Sequence, residues 1–115
     1  MAVTKIQIKV SREEYELLLK VAQYAVASVT VTDLFSLYEM ETLETFRDNL
    51  KSKRFRDQKS YAFSFDPAQL YVFINRIGGI MNEMGLYEKA VFNLIYENQI
   101  VHSINNAVQT RLKFN

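Results

Sequence analysis

The chain has 115 residues, with 14 Lys and Arg against 13 Asp and Glu for a net charge of +1, and no cysteine. That length makes one domain, residues 1–115, whose folded surface of about 6,500 Å² replaces roughly 19,600 Å² in the unfolded chain. Zero cysteines exclude a disulfide framework, a zinc–thiolate site and a cysteine nucleophile, and the near-neutral balance excludes the whole chain as an electrostatic binder of nucleic acid or membranes.

Ile6, Ile8 and Val10 alternate with Lys5, Gln7 and Lys9, the period of a half-buried strand over about 5–10. Ser11 and Glu14 have capping-box spacing, so a helix is expected from Arg12. Tyr15, Leu18, Leu19, Ala22 and Val26 supply its buried stripe, and Val21 and Ala25 widen it. The β-branched run Val29-Thr30-Val31-Thr32 breaks this helix, and either Thr32 or Asp33 caps the next. There Leu34, Leu37, Tyr38, Leu43, Phe46 and Leu50 make the expected inward face, with Glu39, Glu41 and Glu44 on the other side and a register slip near Met40.

From Lys51 to Lys59 the apolar period vanishes into a helix tail and an exposed loop. Tyr61, Phe63 and Phe65 then alternate with Ala62 and Ser64, a second strand over about 61–65. Asp66-Pro67-Ala68-Gln69 is an N-cap, a first-turn proline and a capping-box glutamine in order. Leu70, Phe73, Ile74 and Ile77 form the buried face of the helix that follows. Gly78-Gly79 either ends it or sits inside it at a close backbone approach. The last segment, Leu86 to about Leu112, carries Tyr87, Val91, Leu94, Val101, Ile104, Val108 and Leu112 on one stripe without Gly or Pro. Unbroken, it would run roughly 39 Å.

The two strand-to-helix junctions superpose at an offset of 55, placing Ile6, Ile8 and Val10 on Tyr61, Phe63 and Phe65. The expected fold class is therefore α+β, mainly α: two short strands and four helical segments, readable as strand–helix–helix twice. Two strands alone make a marginal sheet, so they should pair with each other and pack on the helices.

Signals for chemistry are sparse. No nucleophile elbow, phosphate loop or dinucleotide fingerprint occurs. His102, the one histidine, shares a helix side with Asn98, Asn105, Asn106 and Gln109, and no Asp or Glu lies between Glu97 and Asn115. No catalytic, cofactor-binding or metal-ligating residues are assigned, and a non-enzymatic protein is expected.

The uneven feature is residues 47–59, with six basic and two acidic residues for +4, leaving eight basic and eleven acidic elsewhere for −3. Arg47, Lys51, Lys53, Arg54, Arg56 and Lys59 are candidate polyanion contacts, with Phe55 available to stack on a base. An acidic protein is the other partner such a segment suits. The aromatics are the second feature. Tyr15, Phe46, Phe63, Phe65 and Phe73 fall on core stripes, whereas Tyr24, Phe35, Tyr71, Phe92 and Tyr96 do not. An apolar arc this wide on the last helix is either buried on several sides or meets a second chain.

Two functional expectations follow. The first is an interaction protein that self-associates as a homodimer through Tyr87, Phe92, Ile95, Tyr96 and Ile100. The second is a nucleic-acid-binding accessory protein using residues 47–59. No signal-peptide pattern opens the chain and no apolar run reaches membrane-spanning length, so a soluble cytoplasmic protein without a membrane partner is expected.

Overall fold

A computed structural model describes residues 4–113. Strand β1 (Ile6–Ser11) runs into helix α1 (Arg12–Ala27), and α2 (Leu34–Lys51) follows. Strand β2 (Ser60–Phe65) runs into α3 (Pro67–Ile80). After a short 3-10 turn, α4 (Leu86–Ile95) passes through a wide π turn (Tyr96–Val101) into α5 (His102–Lys113). The described residues are thus mainly helical with one two-stranded sheet, the expected class.

Local chemistry sets the junctions. The Ser11 hydroxyl accepts from the Glu14 N–H at 3.2 Å, and Glu14 Oε1 accepts from the Ser11 N–H at 2.7 Å. At the second junction Gln69 Oε1 accepts from the Asp66 N–H at 3.2 Å, while the Asp66 carboxylate pairs with Lys5 across the end of the sheet. Asp33, not Thr32, caps α2: its carboxylate accepts from the Ser36 N–H at 2.8 Å. Those Ser36 hydrogen bonds hold the Asp33 carboxyl below its usual range.

The strands pair antiparallel with Ile6 opposite Phe65, Ile8 opposite Phe63 and Val10 opposite Tyr61. The offset of 55 maps Ile8 onto Phe63, and these two face each other. The two strand-to-helix units, β1–α1 and β2–α3, are therefore placed about an approximate twofold axis through that pair. The helices that follow do not keep this symmetry: α2 packs on both α1 and α3, and α4 packs on α1. The outer edge of β2 is closed by α2: Asn49 donates to the Ser64 carbonyl at 3.1 Å, and the Lys53 ammonium to the Ala62 carbonyl. Satisfying edge carbonyls in this way blunts strand-to-strand aggregation.

Beneath the sheet runs a chain of rings. Tyr61 stacks on Tyr15 at 4.4 Å between centroids, Tyr15 meets Phe63, and Phe63 meets Phe65. Phe46 then links Phe65 and Phe73, and Phe73 meets Phe92 edge-on at 6.2 Å. These are offset or edge contacts, the arrangements that ring quadrupoles favour.

Gly79 lies in the last turn of α3, one residue before its end at Ile80, and a Cβ built there meets nothing within 4 Å. No close backbone approach explains it. Its φ is not positive, so alanine fits the backbone. Gly79→Ala should raise unfolding free energy by about 0.5 kcal/mol through helix propensity. An unchanged or lower urea midpoint would contradict this placement.

Two inward faces differ from expectation. In α2 the buried line is Ser36, Glu39, Leu43, Phe46 and Leu50, so Glu39 points inward while Leu34, Leu37 and Tyr38 point out. The slip near Met40 marks this change of face. In the last helix the fully buried residues are Phe92, Ile95 and Ile100, and Leu94 is exposed. Ile95 and Ile100 are five apart; the π turn between them widens the helix and brings Ile100 back to the core.

Candidate functional site

The self-association set splits. Phe92, Ile95 and Ile100 are core residues of a single chain, so they present no surface to a partner. The reason is the phase of the last helix: the stripe taken as core includes exposed Leu94, and its neighbours took the inward places. Tyr96 is half-buried. Tyr87 is exposed but engaged, its hydroxyl donating to the Glu13 carboxylate, which pushes its phenol pKa up. Lys20 meets Glu88 at 2.7 Å beside it, tying α1 to α4.

The largest run of exposed apolar side chains lies instead at the start of α2. Leu34 is 81% and Phe35 68% exposed, and Val31, Leu37 and Tyr38 join them within eight residues. Each is uncharged. The helix beneath is held firmly from the other side. Arg76 of α3 grips Glu39 bidentately, Nη2 to Oε1 at 2.6 Å and Nε to Oε2 at 3.1 Å, and Glu39 is only 8% exposed. The capping bonds of Asp33 and Ser36 fix the first turn. Further along, the outward face turns polar at Glu41, Thr45 and Asp48, so the apolar surface is confined to the first two turns.

The polyanion set also divides. Arg47 is occupied by Asp48 at 3.2 Å and Glu44 at 3.9 Å, and Lys53 by the β2 edge and the Phe63 ring at 4.8 Å. Lys51, Arg54, Arg56 and Lys59 are exposed, and among the described residues none has an ion-pair partner. Phe55 is 93% exposed at the tip of the turn after α2, with the Arg54 guanidinium 5.5 Å from its ring centroid. The turn is pinned on both sides of Phe55: Lys53 donates to the Ala62 carbonyl before it, and after it Tyr61 donates to the Arg56 carbonyl at 2.5 Å and Asp57 meets Arg12 at 2.6 Å.

Two grooves flank the sheet, and the approximate twofold relates them. One, about 280 Å³, includes Tyr61, Arg12, Tyr15, Glu16 and Leu19; the other, about 360 Å³, includes their counterparts Ile6, Pro67, Leu70, Tyr71 and Ile74. The first is polar and adds Lys20 and Arg54, while the second is almost wholly apolar. Equivalent positions have taken different chemistry.

His102 is exposed with Asn106 3.3 Å from its ring. Among the described residues no group of three or more His, Asp or Glu is placed to hold a metal ion, and no helix is long and apolar enough to cross a membrane. No protein-family model, no curated protein and no solved structure matches the chain.

Proposed function

We propose that the chain is a non-enzymatic interaction protein that pairs with a second copy of itself through the first two turns of α2. The observation that carries this reading is the outward set Leu34, Phe35, Leu37 and Tyr38 with Val31 beside it, opposite a buried Glu39. A contiguous apolar patch at the upper end of what a monomer exposes is often an interaction site. With an aromatic side chain offering about 150–250 Å², these exposures leave on the order of 500 Å² per copy, within the range of the largest patches on monomers. Two copies face to face would bury about 1,000 Å² before rim residues join, close to the ~1,200 Å² of a stable interface. An uncharged surface tolerates its own copy, which a twofold contact requires. A cytoplasmic setting accords with a chain that has no cysteine to oxidise.

The test is mass in solution for the wild type and for Leu34→Glu combined with Phe35→Glu. Glutamate in a first helical turn is favoured by the dipole, so α2 should persist. The expected result is a two-chain particle that becomes one chain in the variant, with unchanged helical content. A wild type of one-chain mass at high concentration, or a variant that stays dimeric, would end this reading.

A further inference from the structure

We propose that the turn after α2 is a binding site for single-stranded nucleic acid, with Phe55 as the stacking platform and Arg54, Arg56, Lys51 and Lys59 as the phosphate contacts. It is independent of the self-association surface, because α2 separates the two by its length, about 25 Å.

Three observations converge on it. First, Phe55 stands almost wholly in water between anchored neighbours, Lys53 on the Ala62 carbonyl before it and Arg56 and Asp57 after it, so its ring is presented with its faces open. Second, its flanking charges stand out. Glu44 and Asp48 answer Arg47, Glu16 and Asp57 answer Arg12, and Glu88 answers Lys20. Among the described residues Arg54, Arg56, Lys51 and Lys59 have no such partner and fall within nine residues of chain, whereas Lys9, Lys89 and Lys113, also unpaired, stand apart in sequence. Third, Arg54 connects the ring to a polar cleft of about 280 Å³ lined also by Tyr15, Tyr61 and Gln23 and by Arg12 and Lys20, which their own carboxylates already neutralise, so Arg54 is the unpaired cation at its rim. Phosphates along a strand can enter that cleft while a base lies on the open face of Phe55. The Arg54 guanidinium, 5.5 Å from the ring centroid, is near enough to close on the other face as a base binds, giving an arginine–ring–base stack.

The ring selects the class of partner. A duplex keeps its bases stacked and offers no face to Phe55, whereas a single strand does. A membrane surface needs an apolar helix face beside its basic residues, and this turn carries one apolar side chain. Neither Phe55 nor Arg54 reads base edges, so binding is tolerant of sequence and sensitive to salt.

The probe is a labelled oligothymidylate of about fifteen nucleotides, titrated by fluorescence anisotropy at about 50 and 200 mM salt, beside its duplex and beside vesicles rich in anionic lipid. The full-length chain is expected to bind the single strand at low salt and release it at high salt. Phe55→Ala should weaken binding about tenfold without altering the melting temperature. Arg54→Ala with Arg56→Ala should weaken binding to all sequences alike and flatten the salt slope by about 1–2. No binding at low salt would overturn the proposal. So would a Phe55→Ala protein that binds as the wild type does, a preference for duplex, or binding to vesicles but not to the oligonucleotide.

Discussion

Replacing Phe46 with alanine should remove about 3–5 kcal/mol of stability, the range for truncating a large buried aromatic. The whole domain has on the order of 5–15 kcal/mol to lose. Phe46 is 1% exposed and sits where the two halves meet, its ring 4.7 Å from Phe65 and 4.5 Å from Phe73. Truncation leaves a void between the β2 underside, α2 and α3, and breaks the ring chain at its middle. Such ring pairs add about 0.5–1.5 kcal/mol beyond area burial. Phe46→Leu keeps most of the volume and should cost less. Phe55→Ala, the same chemical change at an exposed site, should move stability by no more than about 0.5 kcal/mol. Urea midpoints of the three variants check this together. A loss under about 1 kcal/mol for Phe46→Ala would mean that the ring is not central to the core.

Glu39→Ala carries the second large effect, about 1–3 kcal/mol. It removes a nearly buried carboxylate and leaves the Arg76 guanidinium half-buried without its bidentate partner. Part of the arginine reaches solvent, which keeps the cost below that of a fully enclosed pair. Replacing both residues with apolar ones of similar volume should recover most of the loss, because an ion pair and a hydrophobic contact are often near equal there. A double-mutant cycle on Glu39 and Arg76 measures the coupling. If Glu39→Ala leaves stability unchanged, the grip of α3 on the start of α2 is absent. The same variant should also loosen the exposed Leu34–Tyr38 surface, since Glu39 is what fastens that turn from below.

Much of the fold is legible from a few junctions. Ser11 with Glu14, and Asp66 with Pro67 and Gln69, mark where each strand enters its helix, and the alternation of Ile6 to Val10 and Tyr61 to Phe65 assigns the buried face of each strand. Helix phase is harder to read. In α2 apolar residues lie on both faces, and a count of apolar spacing assigned the first half to the wrong side. Ser36 and Glu39 are inward because a capping network and Arg76 satisfy them, and neither partner is visible in local periodicity. In the last helix a constant 3.6-residue period cannot join Ile95 to Ile100. The spacing Phe92, Ile95, Ile100, Ile104 carries the signal of the π turn, but only once a step of five is allowed. The candidate surfaces divide in the same way. The basic run is legible as charge, yet which cations stay exposed depends on Lys53 reaching Ala62 and on Arg47 pairing along its own helix. At the apolar start of α2 only Phe35 is legible as lying off the core stripe; the helical spacing of Leu34, Leu37 and Tyr38 with Leu43 and Phe46 points them inward, against their exposure.

The most direct test of where two copies meet uses single cysteines, which are clean probes in a chain that has none of its own. Leu34→Cys, Leu37→Cys and Tyr38→Cys sample the start of α2, and Leu94→Cys samples the exposed side of the last helix. Each protein is oxidised mildly and the fraction of covalent dimer is measured. The expected result is efficient cross-linking at one or more of the three α2 positions and little at Leu94→Cys. Cross-linking at Leu94→Cys with none along α2 would contradict the assignment and return the interface to the C-terminal helix.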